Sequence, residues 1–246
     1  MLSLWRAAEN GAVPGFELET HLIQARFDWA RQQGHPAYVW PDLPIHAWRS
    51  CLIEIERAVG KMLSGARTAQ LETPDLTTSR GLGIAAFTAG VGPLLGYWVR
   101  QGRLAVDDPT AQVLDAHYLH SRARAERLRF ERDRLLAILA GIPVTIMKGG
   151  HTAYTYFAEP ALRPTADLDV VIEPDDRRAT LSRLAAAGYC ATVRQARPFK
   201  CDWVPPGAPT VLQSIELTHA DNPYAIEVHD SFDRVFDGIR KVRLGA

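Results

Sequence analysis

Residues 143–173 read PVTIMKGGHTAYTYFAEPALRPTADLDVVIE, and their pattern sets the expectation for the fold. A β-branched run at residues 144–147 predicts a strand, Gly149 and Gly150 break it, a helix follows, and Asp167 and Asp169 open a second strand. In an extended backbone these two carboxylates project from one face, while Leu168, Val170 and Ile172 project from the other. An apolar face fits a sheet packed on helices. An acidic face is costly unless a cation balances it.

Upstream, residues 1–140 read as mostly helical, with apolar residues recurring at spacings of three and four between Gly and Pro breaks. Phe16, Leu18, Leu22, Ile23, Phe27 and Trp29 fit one helix, stopped near Pro36, and residues 40–44 read as a loop. Trp48, Leu52, Ile55 and Val59 give a second helix over residues 47–62, and the Thr-rich residues 61–80 are expected to be an exposed connection. Gly81 with Gly83, and Gly90 with Gly92, invite a dinucleotide-loop reading. Neither pair follows a strand, however, and Pro93 stands where the phosphate-binding helix should begin, so close helix packing through small residues is preferred. The same glycines make residues 82–99 a buried helical hairpin rather than a membrane span. Residues 110–140 form the longest helical pattern. Its arginines (Arg122, Arg124, Arg127, Arg129, Arg132 and Arg134) alternate with Glu126, Glu131 and Asp133. They read as a solvated face with i,i+4 pairs, with a border to an anionic substrate as the alternative.

Downstream of the aspartates, residues 177–187 predict a helix ended by Gly188, then a weak strand at residues 189–193 and a Pro-rich loop at 198–209. Residues 211–219 and 224–229 read as a hairpin around residues 220–223. In the second strand Glu227 shares a polar face with His229, opposite Ile226 and Val228.

With 47% hydrophobic and 23% charged residues the chain reads as soluble and globular. Lys and Arg number 28, as do Asp and Glu, so no net charge draws it to a polyanion, and a nucleic-acid partner is disfavoured. Cys51, Cys190 and Cys201 are odd in number without CxxC spacing, which fits a reducing cytoplasm. The first residues show no signal-peptide pattern.

Asp167, Asp169 and Glu227 on one sheet face point to Mg2+, which favours a few carboxylates together with phosphate oxygens and water. Two such ions would suit in-line displacement at the α-phosphate of an NTP, pyrophosphate leaving. Gly149 and Gly150 would let backbone N–H groups approach phosphates at a helix N-terminus. Lys148 and Arg163 would neutralise the triphosphate. Plainer readings stand beside these: the aspartates cap a turn after Pro164, Lys148 pairs structurally with an acid, Glu216 replaces Glu227, and His229 is a satisfied histidine.

Taken in order, Lys148-Gly149-Gly150, Arg163-Pro164, Asp167-Leu168-Asp169-Val170-Val171-Ile172 and Ile226-Glu227-Val228-His229 resemble the uncharacterised nucleotidyltransferase family of the DNA polymerase β superfamily, over about residues 87–236. The resemblance implies an α+β fold: a mostly helical N-terminal half (1–140, the substrate or partner side) followed by a nucleotidyltransferase core (141–246) with a small mixed β-sheet and flanking helices. It also implies metal-dependent transfer of NMP from an NTP, ATP being the expected one, to an acceptor hydroxyl on a small molecule, peptide or protein. Asp167, Asp169 and Glu227 would be the metal ligands. The alternative is a catalytically inactive nucleotide-binding or protein-interaction module of the same fold. Two departures count: the superfamily usually has Gly-Ser where this chain has Gly149-Gly150, and family members continue past the acid-x-His strand, so the core is expected to be C-terminally shortened.

Overall fold

The computed structural model of the chain describes residues 45–72, 76–192, 200–210, 219–230, 234–236 and 240–242. The helix expected around Phe16 and Trp29, the loop at 40–44, and most of the expected strand at 211–219, Glu216 included, lie outside these residues. The chain divides into two compact units: Met1–Arg122 with Ala161–Pro164 and Gln213–Ala220, and Ala123–Pro160 with Thr165–Leu212 and Asp221–Ala246.

The first unit is helical. Helix α1 (Ile45–Leu63) buries Trp48, Cys51, Leu52, Ile55, Ala58 and Met62, a stripe at three and four spacing. Full burial of each large apolar side chain stabilises by roughly 1.5–3 kcal/mol. Trp48 also donates its indole N–H to Thr88 Oγ1 at 3.1 Å. Strand β1 (Ala69–Gln70) pairs in parallel with β2 (Leu104–Ala105), so part of the expected exposed connection is ordered, and Ala69 and Leu71 are buried there. Helices α2 (Leu76–Thr88) and α3 (Gly92–Arg100) form the expected hairpin. Gly90 turns it with φ +70°, and Pro93 sits in the first turn of α3, where its missing N–H costs nothing. No helix among the described residues is long and apolar enough to cross a membrane.

The glycines of this hairpin are packing residues. A Cβ on Gly83 would stand 2.2 Å from Val113, one on Gly92 2.9 Å from the His117 ring, and one on Gly96 2.1 Å from the Leu114 carbonyl oxygen. His117 itself is buried with Nε2 3.0 Å from the Gly83 carbonyl, a satisfied core histidine. Val113, Leu114 and His117 belong to α4 (Asp108–Ile138), whose start is capped by Asp107 accepting the Thr110 N–H at 3.0 Å.

The second unit holds the rest of α4 and a five-stranded sheet. Its elements are β3 (Val144–Ile146), α5 (Lys148–Tyr156), β4 (Leu168–Ile172), α6 (Arg177–Ala186), β5 (Cys190–Ala191), β6 (Lys200–Val204) and β7 (Ile226–His229). The strand order is β3-β4-β7-β6-β5. Only β4 and β7 run parallel; the other pairs are antiparallel. Leu168, Val170, Ile172, Ile226, Val228 and Trp203 share one core with Leu135, Leu139 and Leu184 of the helices. A separate antiparallel pair, β8 (Arg234–Phe236) and β9 (Arg240–Val242), follows. Six α-helices among the described residues and this mixed sheet make the fold α+β.

One expectation changes. Residues 200–204 are a strand within the segment read as a Pro-rich loop, and that strand is an antiparallel neighbour of β7. Among the described residues β4 lies on the other edge of β7. Lys200 and Asp202 hid the strand, because charged residues in a central strand are unfavourable until partners pay their desolvation.

Candidate active site

The register of three strands assembles the site. Asp169 on β4 lies opposite Glu227 on β7, which lies opposite Asp202 on β6; one step along, His229 lies opposite Lys200. Alternation puts all five side chains on the face opposite the apolar core.

The carboxylates are tied by cations. The Lys148 ammonium contacts Asp169 Oδ1 and lies 3.6 Å from Glu227 Oε2. His229 Nε2 is 3.1 Å from Asp169 Oδ1 and 3.6 Å from Glu227 Oε2. Lys200, itself buried, reaches Glu227 Oε1 at 2.6 Å and Asp202 Oδ1 at 3.3 Å. Asp169 is 2% exposed and His229 2%, so these contacts operate where water screens them weakly.

Each shift in protonation follows from that geometry. The hydrogen bond from His229, with those from Lys200, outweighs burial and holds the Glu227 carboxyl far below the usual range. For His229, burial opposes the charged ring, but the hydrogen bonds to Asp169 and Glu227 raise its pKa. Lys200 is likewise raised: burial works against its charge, and its bonds to Glu227 and Asp202 prevail. Asp167, half-buried beside this cluster, is pushed up to about 6, first by burial and then by the charges of Asp169 and Glu227, against the pull of Lys148 and Lys200.

Asp169, Glu227 and His229 each offer a ligand atom within 4.8 Å of the other two. Asp167 is outside that group, though near enough to feel its charge. Two hard carboxylates fit a divalent cation that completes its shell with water and phosphate oxygens. A raised His229 donates Nε2–H to the carboxylates and so orients them. The Lys148 ammonium, touching Asp169 and close to Glu227, supplies positive charge where a cation would supply it.

Backbone conformation at the first loop is unusual. Lys148 has φ +46°, a left-handed conformation that costs a non-glycine residue of order 1–2 kcal/mol; such strain is concentrated at functional positions. Gly149 and Gly150 open α5, and neither has room for a side chain. A Cβ on Gly149 would stand 2.6 Å from Thr165 Cγ2, and one on Gly150 2.8 Å from Ile146 Cγ2 and 3.0 Å from Leu168 Cδ1. The glycine at 150 is explained by packing on β3 and β4.

A cleft between the second half of α4 and α5 borders this loop. Gly149, Gly150, Thr165 and Asp167 line it together with Leu128, Ala153 and Tyr154. Arg129 and Arg132 also line it, with the Arg132 guanidinium 4.9 Å from the centre of the Tyr154 ring. Both arginines also approach Asp133, the solvated pairing expected of this helix. Arg124 departs from that expectation: it is 1% exposed and donates to the carbonyls of Asn222, Ala166 and Pro223. Arg163 belongs to the helical unit, where it donates to the Pro164 carbonyl at 3.4 Å.

The structure therefore gathers Lys148, Asp169, Glu227 and His229, sets Asp167 beside them, and adds two residues that the sequence reading passed over, Lys200 and Asp202. Their signal was the alternation in Lys200-Cys201-Asp202-Trp203-Val204, weak beside the prolines that flank it.

A family model described as an uncharacterised nucleotidyltransferase matches residues 82–245, more than half of the chain. A search of curated proteins and one of solved structures returned no match. By the extent of that match, and in keeping with the mixed sheet and its acidic face, the chain belongs to the uncharacterised nucleotidyltransferase family.

Proposed function

We propose that the protein transfers NMP from an NTP, with ATP as the expected donor, to an acceptor hydroxyl on a small molecule, peptide or protein, releasing pyrophosphate. The observation that carries this reading is the in-register placing of Asp169 and Glu227 on adjacent parallel strands, with Asp167 next to them and a glycine loop at the same end of β4. Bound by Asp169 and Glu227, with Asp167 at its side, Mg2+ (two ions in the expected arrangement) would supply Lewis-acid stabilisation of charge on the phosphates and on the attacking oxygen.

The chain's own groups have defined tasks in this reading. His229 and Lys200 hold Glu227 ionised and oriented, so its carboxylate needs no reorganisation. Lys148, whose half-exposed side chain contacts Asp169, would neutralise charge on the triphosphate. The backbone N–H groups at the start of α5, which Gly149 and Gly150 help to form, would receive that triphosphate. The cleft beside Asp167, with Tyr154 and its neighbouring arginines, is assigned to the acceptor.

One observation favours a second reading. Lys148 already neutralises Asp169, and glycine at 150 supplies no hydroxyl to a phosphate, as expected of a nucleotide-binding module that has lost catalysis. Incubation with α-labelled ATP and Mg2+, beside Asp169→Asn and Glu227→Gln variants, separates the two. Label transfer to an acceptor in the wild type alone supports the enzyme. Nucleotide binding that needs no metal and survives both substitutions supports the module.

A further inference from the structure

We propose that Arg124 is a positioning residue for the two carboxylate-bearing strands, a buried guanidinium that locks the backbone entering Asp167 to the backbone entering Glu227. Its catalytic meaning rests on the nucleotidyltransferase reading above; its geometry does not. From α4, one Nη donates to the Asn222 carbonyl, and the other donates to Ala166 and, at 2.9 Å, to Pro223. Ala166 immediately precedes Asp167, and Asn222 and Pro223 lie shortly ahead of Glu227. The guanidinium also stands 5.0 Å from the centre of the Tyr224 ring, inside the same segment. The two strands first meet two residues beyond Ala166 and Pro223, where the Leu168 N–H donates to the Ala225 carbonyl at 3.0 Å.

β4 and β7 are parallel and more than fifty residues apart, so no tight turn fixes their relative height. A planar fork with several donors can hold three carbonyls at fixed spacing, which a single ammonium cannot. Burying it is costly, and burial lowers the pKa of Arg124 to about 10; an apolar side chain would fill the same space more cheaply. Carbonyls accept its hydrogen bonds without cancelling its charge. That charge remains to act on the Asp167 carboxylate.

The test uses the full chain with Arg124→Lys and Arg124→Met. Circular dichroism and melting report folding, Mn2+ titration followed by electron paramagnetic resonance, with and without ATP, reports the carboxylates, and amide hydrogen exchange reports the backbone. The expected result is folded variants whose Mn2+ affinity falls about tenfold or more in the Met variant and less in the Lys variant. Amide exchange accelerates at Leu168 and at residues 224–226, while residues 170–172 keep their protection. A folded Met variant with wild-type Mn2+ affinity and exchange overturns the proposal. So does loss of folding in both variants, or protection lost evenly across the sheet, since either assigns Arg124 to stability alone. If the wild type binds no Mn2+, the metal-dependent reading fails by itself, and exchange at Leu168 decides the clamp.

Discussion

At the scale of single residues, the site is a balance of charges on one sheet face. Asp167, Asp169, Asp202 and Glu227 face Lys148, Lys200 and His229, and the acids outnumber the fixed cations. Removing the charge of Asp169 or Glu227 is expected to lower nucleotidyl transfer by at least about 100-fold; transfer by either Asn or Gln variant within tenfold of wild type would sink their role as metal ligands. Asp167 gives a pH signature. Its pKa rises from an ordinary 3.8 to about 6 on folding, so the folded metal-free protein holds this proton more tightly than the unfolded chain. The contribution to stability is complete below about pH 4, shrinks as pH rises, and is gone above about pH 6, a swing of roughly 1–3 kcal/mol. Asp167→Asn, which cannot ionise, should therefore gain on the wild type in melting temperature between pH 4 and pH 7. A constant difference across that range would show that Asp167 is not strained.

At the scale of elements, small residues decide which helices and strands can touch. Gly96 brings α3 against the backbone of α4, and Gly96→Ala places a Cβ 2.1 Å from the Leu114 oxygen. Backbone cannot yield as a side-chain tip can, so a loss of about 2 kcal/mol or more is expected despite the better helix propensity of alanine; urea denaturation measures it. Gly150→Ser meets Ile146 and Leu168 at 2.8 and 3.0 Å, and Ile146 is β-branched and stiff. A destabilisation of roughly 1–3 kcal/mol is expected, with no gain in transfer from the added hydroxyl. Higher turnover at unchanged stability would mean that the hydroxyl, not packing, is what position 150 lacks.

At the scale of the whole molecule, a cation that binds only the folded site stabilises it by mass action. At a concentration 100 times its dissociation constant that gain is about 2.7 kcal/mol, or about 5–10 °C in melting temperature for a chain of this size. Mn2+ with ATP is therefore expected to raise the melting temperature of the wild type and to leave an Asp169→Asn, Glu227→Gln double variant unmoved. Equal shifts in both proteins would place the cation elsewhere.

Much of this was legible in the residues themselves. Alternation at Leu168–Ile172 and Ile226–His229, the glycine break after Ile146 and the apolar stripe from Trp48 to Met62 depend on local periodicity, and local periodicity survives into the fold because each element buries one face. Asp169 and Glu227 could be set on polar faces for the same reason. Strand order could not be read, since pairing joins residues distant in sequence: only the fold seats β6 beside β7, and so brings Lys200 and Asp202 to Glu227. Only the fold takes Arg124 out of a run of solvated arginines and turns it onto three carbonyls, because a charge in a helix pattern carries no mark of which backbone it will meet. The sequence by itself determined which residues carry charge and which face each occupies; tertiary structure decided which groups are buried and which charges meet, and through burial and that proximity the protonation of Asp167, Glu227 and His229.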